Sequence, residues 1–271
     1  MCRWLAYTGS ALLLEDLIIK PKDNLIHQSL HARAPRTPTN GDGFGIGWYD
    51  KHLLPGLFRS IRPAWNDLNL LDLASHIESP MFMAHVRATS MATVQETNCH
   101  PFRYRNWLFV HNGQIAEFGK LKQKLVEQVA PEYFDNILGS TDSEIMFHLA
   151  LTLGLERSVP DAIVAMVRLV EGMAKEHGID EAVWMTLGIT NGETLWGFRY
   201  GSNGKGPTLY ISPGVEEIKR VNPEAEKKLA DFAACIVSEP IGNYQDLWHA
   251  LPENSQVMIS SGKIEKSGFE P

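Results

Sequence analysis

The first residue able to do chemistry is Cys2, directly behind the initiator methionine. Its side chain is small enough to permit removal of Met1, which would leave a thiol and a free α-amine on one residue. An α-amine titrates at roughly 7.7–8.0 and a free thiol near ~8.5. The pair is therefore a nucleophile with its own base, poised for proton transfer near neutral pH. Position 2 alone does not establish this, because cysteine also occurs there without a catalytic role.

Other chemically able residues point elsewhere or nowhere. His27 and His31 stand at i and i+4, a metal-binding spacing, but Gln28 follows the first where a zinc hydrolase needs glutamate. A packed or solvated pair is the better reading. Gly43, Gly45 and Gly47 give G-x-G-x-G without a following helix pattern, so the dinucleotide fingerprint fails. Glycines at alternate strand positions instead leave one face bare for a backbone or ligand. Gly204-Lys205 lacks the spacing and hydroxyl residue of a phosphate loop. Cys99 has no metal-spaced partner and reads as a structural thiol. Taken singly, Arg87 is a surface arginine, Asn112-Gly113 a tight turn, and Asp142 the cap of a helix that opens with Ser143-Glu144.

Composition narrows the field. The 271 residues are 44% hydrophobic and 21% charged, ordinary values for a globular protein with a sizeable core. A net charge of −7 without any Lys/Arg run argues against nucleic-acid binding. Three cysteines without CxxC spacing are too few for a disulfide framework and fit a reducing cytoplasm. Ala11-Leu12-Leu13-Leu14 is too short for a signal segment, since Tyr7 to Ser10 interrupts it and Glu15-Asp16 follows at once. No stretch of about 18 apolar residues predicts a membrane helix. The expectation is a cytoplasmic protein that binds neither nucleic acid nor membrane.

Four stretches in order change the reading of Cys2: Cys2-Arg3-Trp4-Leu5, Ala84-His85-Val86-Arg87, Val110-His111-Asn112-Gly113-Gln114 and Ser140-Thr141-Asp142-Ser143-Glu144. Together they resemble the class II glutamine amidotransferases. CRWLAYTG and Asn40 to Tyr49 (NGDGFGIGWY) are similar to the short, stand-alone members, among them the amidohydrolase of ergothioneine biosynthesis. The resemblance runs from Cys2 to about Val237-Ser238-Glu239-Pro240. It implies the N-terminal-nucleophile hydrolase fold, an α+β, four-layer αββα sandwich of two antiparallel sheets. It also implies a cysteine-dependent amidohydrolase that cleaves the side-chain amide of glutamine or a γ-glutamyl amide through a thioester on Cys2.

By the same resemblance Asn112 and Gly113 form the oxyanion hole, Arg87 clamps the substrate α-carboxylate, and Asp142 holds the α-ammonium. Many relatives carry an aromatic after the arginine and threonine at the third position beyond it. Here the run is Arg87-Ala88-Thr89-Ser90, and Ser90 takes that place in the head-group pocket. This chemistry takes no cofactor and no metal. Two alternatives stay open: a glutaminase subunit supplying ammonia to a separate synthase chain, and a catalytically idle scaffold that binds an amino acid. An ammonia-accepting partner protein and a homo-oligomer are both compatible with the sequence.

These residues need elements to hold them. Cys2 to Thr8 reads as a buried strand closed by Gly9-Ser10, with the cysteine at its tip. Asn24 to Ala32 is expected as a short helix, and Ala34 to Asn40 as a Pro-rich loop. Gly43 to Tyr49 is a strand with a hairpin partner over Lys51 to Ser60, and Ala64 to Ile77 is helical. Met81 to Arg87 is a strand delivering Arg87 at its end. Trp107 to Val110 is another, closed by a turn at His111-Asn112-Gly113. Helical periodicity covers Gly119–Val129, Asp142–Leu153 and Asp161–His177, the last behind Pro160. Strands follow at Val183–Ile189, Glu193–Tyr200, Thr208–Ile211, Phe232–Ser238 and Val257–Ser260, with Asn191-Gly192 a hairpin turn. Strands, then helices, then strands point to α+β rather than βαβ winding. With no repeat or linker, residues 1–271 are expected to form one domain.

Overall fold

The computed structural model describes residues 2–30, 39–88, 93–221 and 232–271. Met1, His31, Ser90 and most of the Pro-rich loop lie outside them. Two antiparallel sheets stack face to face. One has seven strands: β11 (His249–Ala250), β9 (Tyr210–Ile211), β10 (Ala233–Val237), β1 (Arg3–Leu13), β4 (Glu78–Val86), β2 (Phe44–Tyr49) and β3 (Gly56–Ser60), in that order. The other has six, ordered β13 (Lys263–Gly268), β12 (Ser255–Ser260), β8 (Thr194–Gly201), β7 (Val183–Thr190), β6 (Trp107–Ile115) and β5 (Phe102–Tyr104).

Three apolar clusters separate the layers. Trp4, Ala6, Met83, Leu108, Val110, Ile236 and Val257 fill the space between the sheets. The outer face of the six-stranded sheet is covered by α4 (Phe118–Glu127), α6 (Asp142–Thr152) and α7 (Val159–Glu176), with the short α5 (Pro131–Phe134) beside them. α1 (Glu15–Ile18), α2 (Leu25–Leu30), α3 (Leu68–His76) and α8 (Val215–Val221) pack on the other sheet. The result is the expected αββα sandwich. α7 shows why it holds. Ala162, Ile163, Met166, Val167, Val170 and Ala174 recur at helical spacing, and all are buried.

Several boundaries differ from the sequence reading. β1 does not stop at Gly9-Ser10 but runs to Leu13, with its pairing to β4 shifting register between Thr8 and Leu12. Such an irregularity lets a glycine sit inside a strand. Leu12 and Leu13 are thus strand residues. β6 does not end at Val110. His111, Asn112 and Gly113 stay paired with Leu187, Thr186 and Met185 of β7. The Asn-Gly pair is therefore strand and not turn. Cross-strand pairing overrides the dipeptide's local preference. β13, with six exposed residues, carries no buried stripe that could have announced it.

Candidate active site

Cys2 stands at the open tip of β1, half-buried, beside the end of β4. Its Sγ lies 3.3 Å from both the backbone N and the carbonyl O of Ala88. Burial pushes the thiol up from its ordinary value, and the Ala88 N–H and the nearby Arg87 and Arg3 cations oppose that. A thiol held protonated in this way needs a base at the moment of attack.

Arg3 fixes the nucleophile from behind. Its Nη1 donates to the Cys2 carbonyl at 3.0 Å, and its Nη2 pairs with Glu239 at 2.5 Å. Trp4 locks the next residue along. Its backbone N–H meets Ser238 Oγ at 3.0 Å, and its indole N–H crosses between the sheets to Thr186 Oγ1 at 3.1 Å. Thr186 is the strand partner of Asn112. The nucleophile strand is thus tied, through one side chain, to the strand pair carrying the expected oxyanion donors.

Asn112 is buried within β6. Gly113 has φ +152°, and a Cβ there would meet the Trp184 carbonyl and come within 2.7 Å of His111 Nε2. Only glycine fits this bend in the strand. His111 braces it from the helix side, where its Nδ1 is 2.8 Å from Ser143 Oγ. Burial lowers the His111 pKa, and the Asp142 charge partly opposes this.

Arg87 follows β4 directly and is buried. Its Nη1 and Nη2 donate to the carbonyls of Asp42 and Thr93, each at 3.3 Å. Two donors anchored on backbone orient the planar fork and leave further N–H groups for a carboxylate. Asp42 is held there by its backbone N–H, which donates to the Arg87 carbonyl at 3.1 Å, and a Cβ on nearby Gly45 would strike the His100 carbonyl. The bare strand face expected from alternating glycines is filled by the His100 backbone at Gly45 and by the Leu108 side chain at Gly47.

Asp142 opens α6, but the cap is Thr141, whose side chain accepts from Glu144 N at 3.2 Å. This corrects the reading of Asp142 as the cap residue. Its Oδ2 accepts from Ile115 N at 2.9 Å and its Oδ1 from Ser143 N at 2.8 Å. Asp142 therefore binds the start of α6 to the end of β6, two residues beyond Gly113. The Ser143 hydroxyl also donates to Oδ1 at 3.3 Å, so it is Oδ2 that keeps acceptor capacity for a ligand ammonium.

Cys2 and Arg87 flank the paired ends of β1 and β4, Asn112 and Gly113 lie within β6, and Asp142 is bonded to the last residue of β6, while Ser90 lies outside the described residues. Among the described residues no group of three or more His, Cys, Asp or Glu side chains could hold a metal. His27 sits 3.1 Å from Asp23, largely at the surface. Cys99 and Cys235 are buried and unpaired, with thiols pushed up by burial to about 11 and about 12. No helix of the described residues is long and apolar enough to cross a membrane. Sequence reasoning missed Arg3 and Ser143, whose partners Glu239 and His111 lie too far along the chain for any local pattern to reveal.

Comparison with known proteins places the chain in a family. The family model for class II glutamine amidotransferases matches residues 20–271. The probable glutamine amidotransferase DUG3 of Saccharomyces cerevisiae is 33% identical, across 97% of this chain and 83% of that protein. The gamma-glutamyl-hercynylcysteine sulfoxide hydrolase of Mycolicibacterium smegmatis is 32% identical over 42% of this chain and 52% of its own length. The structure of a glutamine aminotransferase class-II domain protein from Silicibacter pomeroyi superposes with a TM-score of 0.75 at 29% identity, covering 100% of both chains. The chain belongs to the class II glutamine amidotransferases, as a cysteine-dependent amidohydrolase on the N-terminal-nucleophile hydrolase fold.

Proposed function

We propose that the protein is a stand-alone hydrolase of γ-glutamyl amides, glutamine among them, with Cys2 as nucleophile after removal of Met1. The free α-amine takes the thiol proton as Sγ adds to the γ-carbonyl. Asn112 and Gly113 donate to the oxyanion so formed, a contribution of about 2.7–4 kcal/mol per donor in comparable sites. The C–N bond then breaks, the leaving amine takes the proton from the α-ammonium, and a γ-glutamyl thioester remains on Cys2. Water, deprotonated by the same amine, releases glutamate and restores the thiol. Arg87 grips the α-carboxylate and Asp142 the α-ammonium.

The observation that carries this reading is the placement of Cys2. Its thiol lies against Ala88, next to Arg87, on a strand tied through Trp4 and Thr186 to the partner of Asn112. A γ-glutamyl amide with a leaving group larger than ammonia is favoured by the likeness to the mycobacterial relative, a gamma-glutamyl-hercynylcysteine sulfoxide hydrolase. Terminal strands packed into shared sheets support one catalytic domain over residues 1–271. Three free cysteines support a reducing, cytoplasmic setting.

The test is a hydrolysis screen of glutamine and other γ-glutamyl amides on untagged protein lacking Met1, with pulldown for ammonia-using partners alongside. Turnover that requires no added protein and vanishes in Cys2→Ala is expected. Ammonia release that depends on a captured synthase would replace this reading with a glutaminase subunit. Glutamine binding without any thioester would replace it with an idle scaffold.

A further inference from the structure

The two expected head-group grips sit on different segments. Arg87 follows β4, and Asp142 opens α6. Asn98 lies between them, completely buried. Its Nδ2 donates to the Thr93 carbonyl at 2.8 Å, the same oxygen that Arg87 Nη2 contacts at 3.3 Å. Its Oδ1 accepts from Ser140 N at 2.8 Å, two residues before Asp142, and its Nδ2 lies 3.2 Å from Ser140 Oγ.

The amide orientation is forced, because a backbone N–H must face the oxygen and a backbone carbonyl the nitrogen. The loop it reaches has no slack. The Glu144 carboxylate accepts from Leu138 N at 2.9 Å and Gly139 N at 2.7 Å. A Cβ on Gly139 would collide with Asn98 Oδ1 and approach Glu144 Oε2 to 2.7 Å. The hydroxyl of Thr141 caps the helix that follows.

We propose that Asn98 is a positioning residue that sets the span between Arg87 and Asp142, and so the enzyme's selectivity for substrates carrying a complete amino-acid head group. This rests on the head-group roles of Arg87 and Asp142 given above. One rigid amide plane, with its donor on the arginine side and its acceptor on the aspartate side, ties Thr93, against which Arg87 rests, to Ser140 ahead of Asp142. Its contribution enters through ligand binding and not through the reactivity of the Cys2 thiol.

Saturable inactivation by diazo-oxo-norleucine, which carries both the α-amine and the α-carboxylate, separates these effects from iodoacetamide, which carries neither. Asn98→Asp keeps the acceptor for Ser140 N but turns a carboxylate oxygen toward the Thr93 carbonyl. Its apparent inhibition constant for diazo-oxo-norleucine should rise roughly tenfold, while alkylation of Cys2 by iodoacetamide stays within about twofold. Ser140→Ala, which removes only the hydroxyl and keeps the backbone bond, should shift that constant the same way by roughly two- to threefold. Unchanged inhibition constants in both variants, or a parallel loss of reactivity toward both reagents, would overturn the proposal. An adduct on a cysteine other than Cys2 in the parent protein would instead overturn the active-site reading beneath it.

Discussion

A thiol is a nucleophile only as far as its surroundings let it lose a proton, and the three cysteines here differ in that respect. Burial pushes the Cys99 and Cys235 thiols up to about 11 and about 12, in Cys99 against the Arg87 and Arg59 charges. Cys2 is also raised, but Arg87, Arg3 and the Ala88 N–H oppose the rise. Diazo-oxo-norleucine should therefore label Cys2 and spare the other two. Peptide mapping that placed the adduct mainly on Cys99 would contradict this. The base matters equally. With Met1 in place the nitrogen of Cys2 is an amide, so a Met-retaining or N-terminally tagged preparation should lose roughly 10²–10⁴-fold in turnover. Intact mass beside a hydrolysis assay checks it, and full activity with Met1 still attached would refute it. Arg87→Lys should raise KM roughly tenfold or more with a smaller effect on kcat, since a point charge cannot hold two backbone carbonyls and a carboxylate together. These residues were legible in the sequence because each lies inside a short local motif. Asn98 was not. It reads as one polar residue in a loop, and its meaning lies in Ser140, 42 positions away.

At the scale of elements, the catalytic strands were easier to find than their ends. The buried runs in β1, β4 and β6 are continuous apolar stretches, which periodicity detects. Where β6 stops was hidden, because pairing with β7 carries Asn112 and Gly113 past the point where a turn looked natural. That pairing gives a test of how the layers are registered. Trp4 reaches Thr186 from the opposite sheet, and both are fully buried. Thr186→Val keeps the shape and removes the acceptor, leaving the indole N–H unpaired at a cost of about 1–3 kcal/mol. The variant should unfold at lower denaturant and lose kcat more than it gains in KM, because the strand bearing Cys2 is freed relative to the strand pair bearing Asn112. Stability equal to the parent would show that the cross-sheet bond contributes nothing.

For the whole molecule, the sandwich was legible as α+β from element order, whereas its four layers came from the resemblance and not from periodicity. Least legible was a group of histidines buried in it. His85 on β4 stacks on His100 with ring centroids 4.2 Å apart, and His100 meets Phe102 edge-on at 4.6 Å. No ring nitrogen of either makes a well-formed hydrogen bond among the described residues. Burial is the main reason that the His85 pKa falls from 6.5 to about 3, with the Arg87 and His111 charges adding to the fall and the His111 backbone opposing it. His100 is likewise held well below 6.5 by burial, and His85, His111, Arg87 and Arg59 reinforce this. The sign follows from proton counting. Between the folded and unfolded values the unfolded chain binds the extra protons, so stability is complete above about pH 6.5 and is lost as pH falls toward the folded values. Each such histidine contributes a slope approaching about 1.4 kcal/mol per pH unit within that window. Urea unfolding compared between about pH 7.5 and about pH 5.5 keeps the measurement above the usual carboxylate range. There the parent should lose stability on acidification, and His85→Leu should lose less by up to about one proton's worth. Equal losses in parent and variant would mean that His85 is already protonated, or paired, in the folded protein.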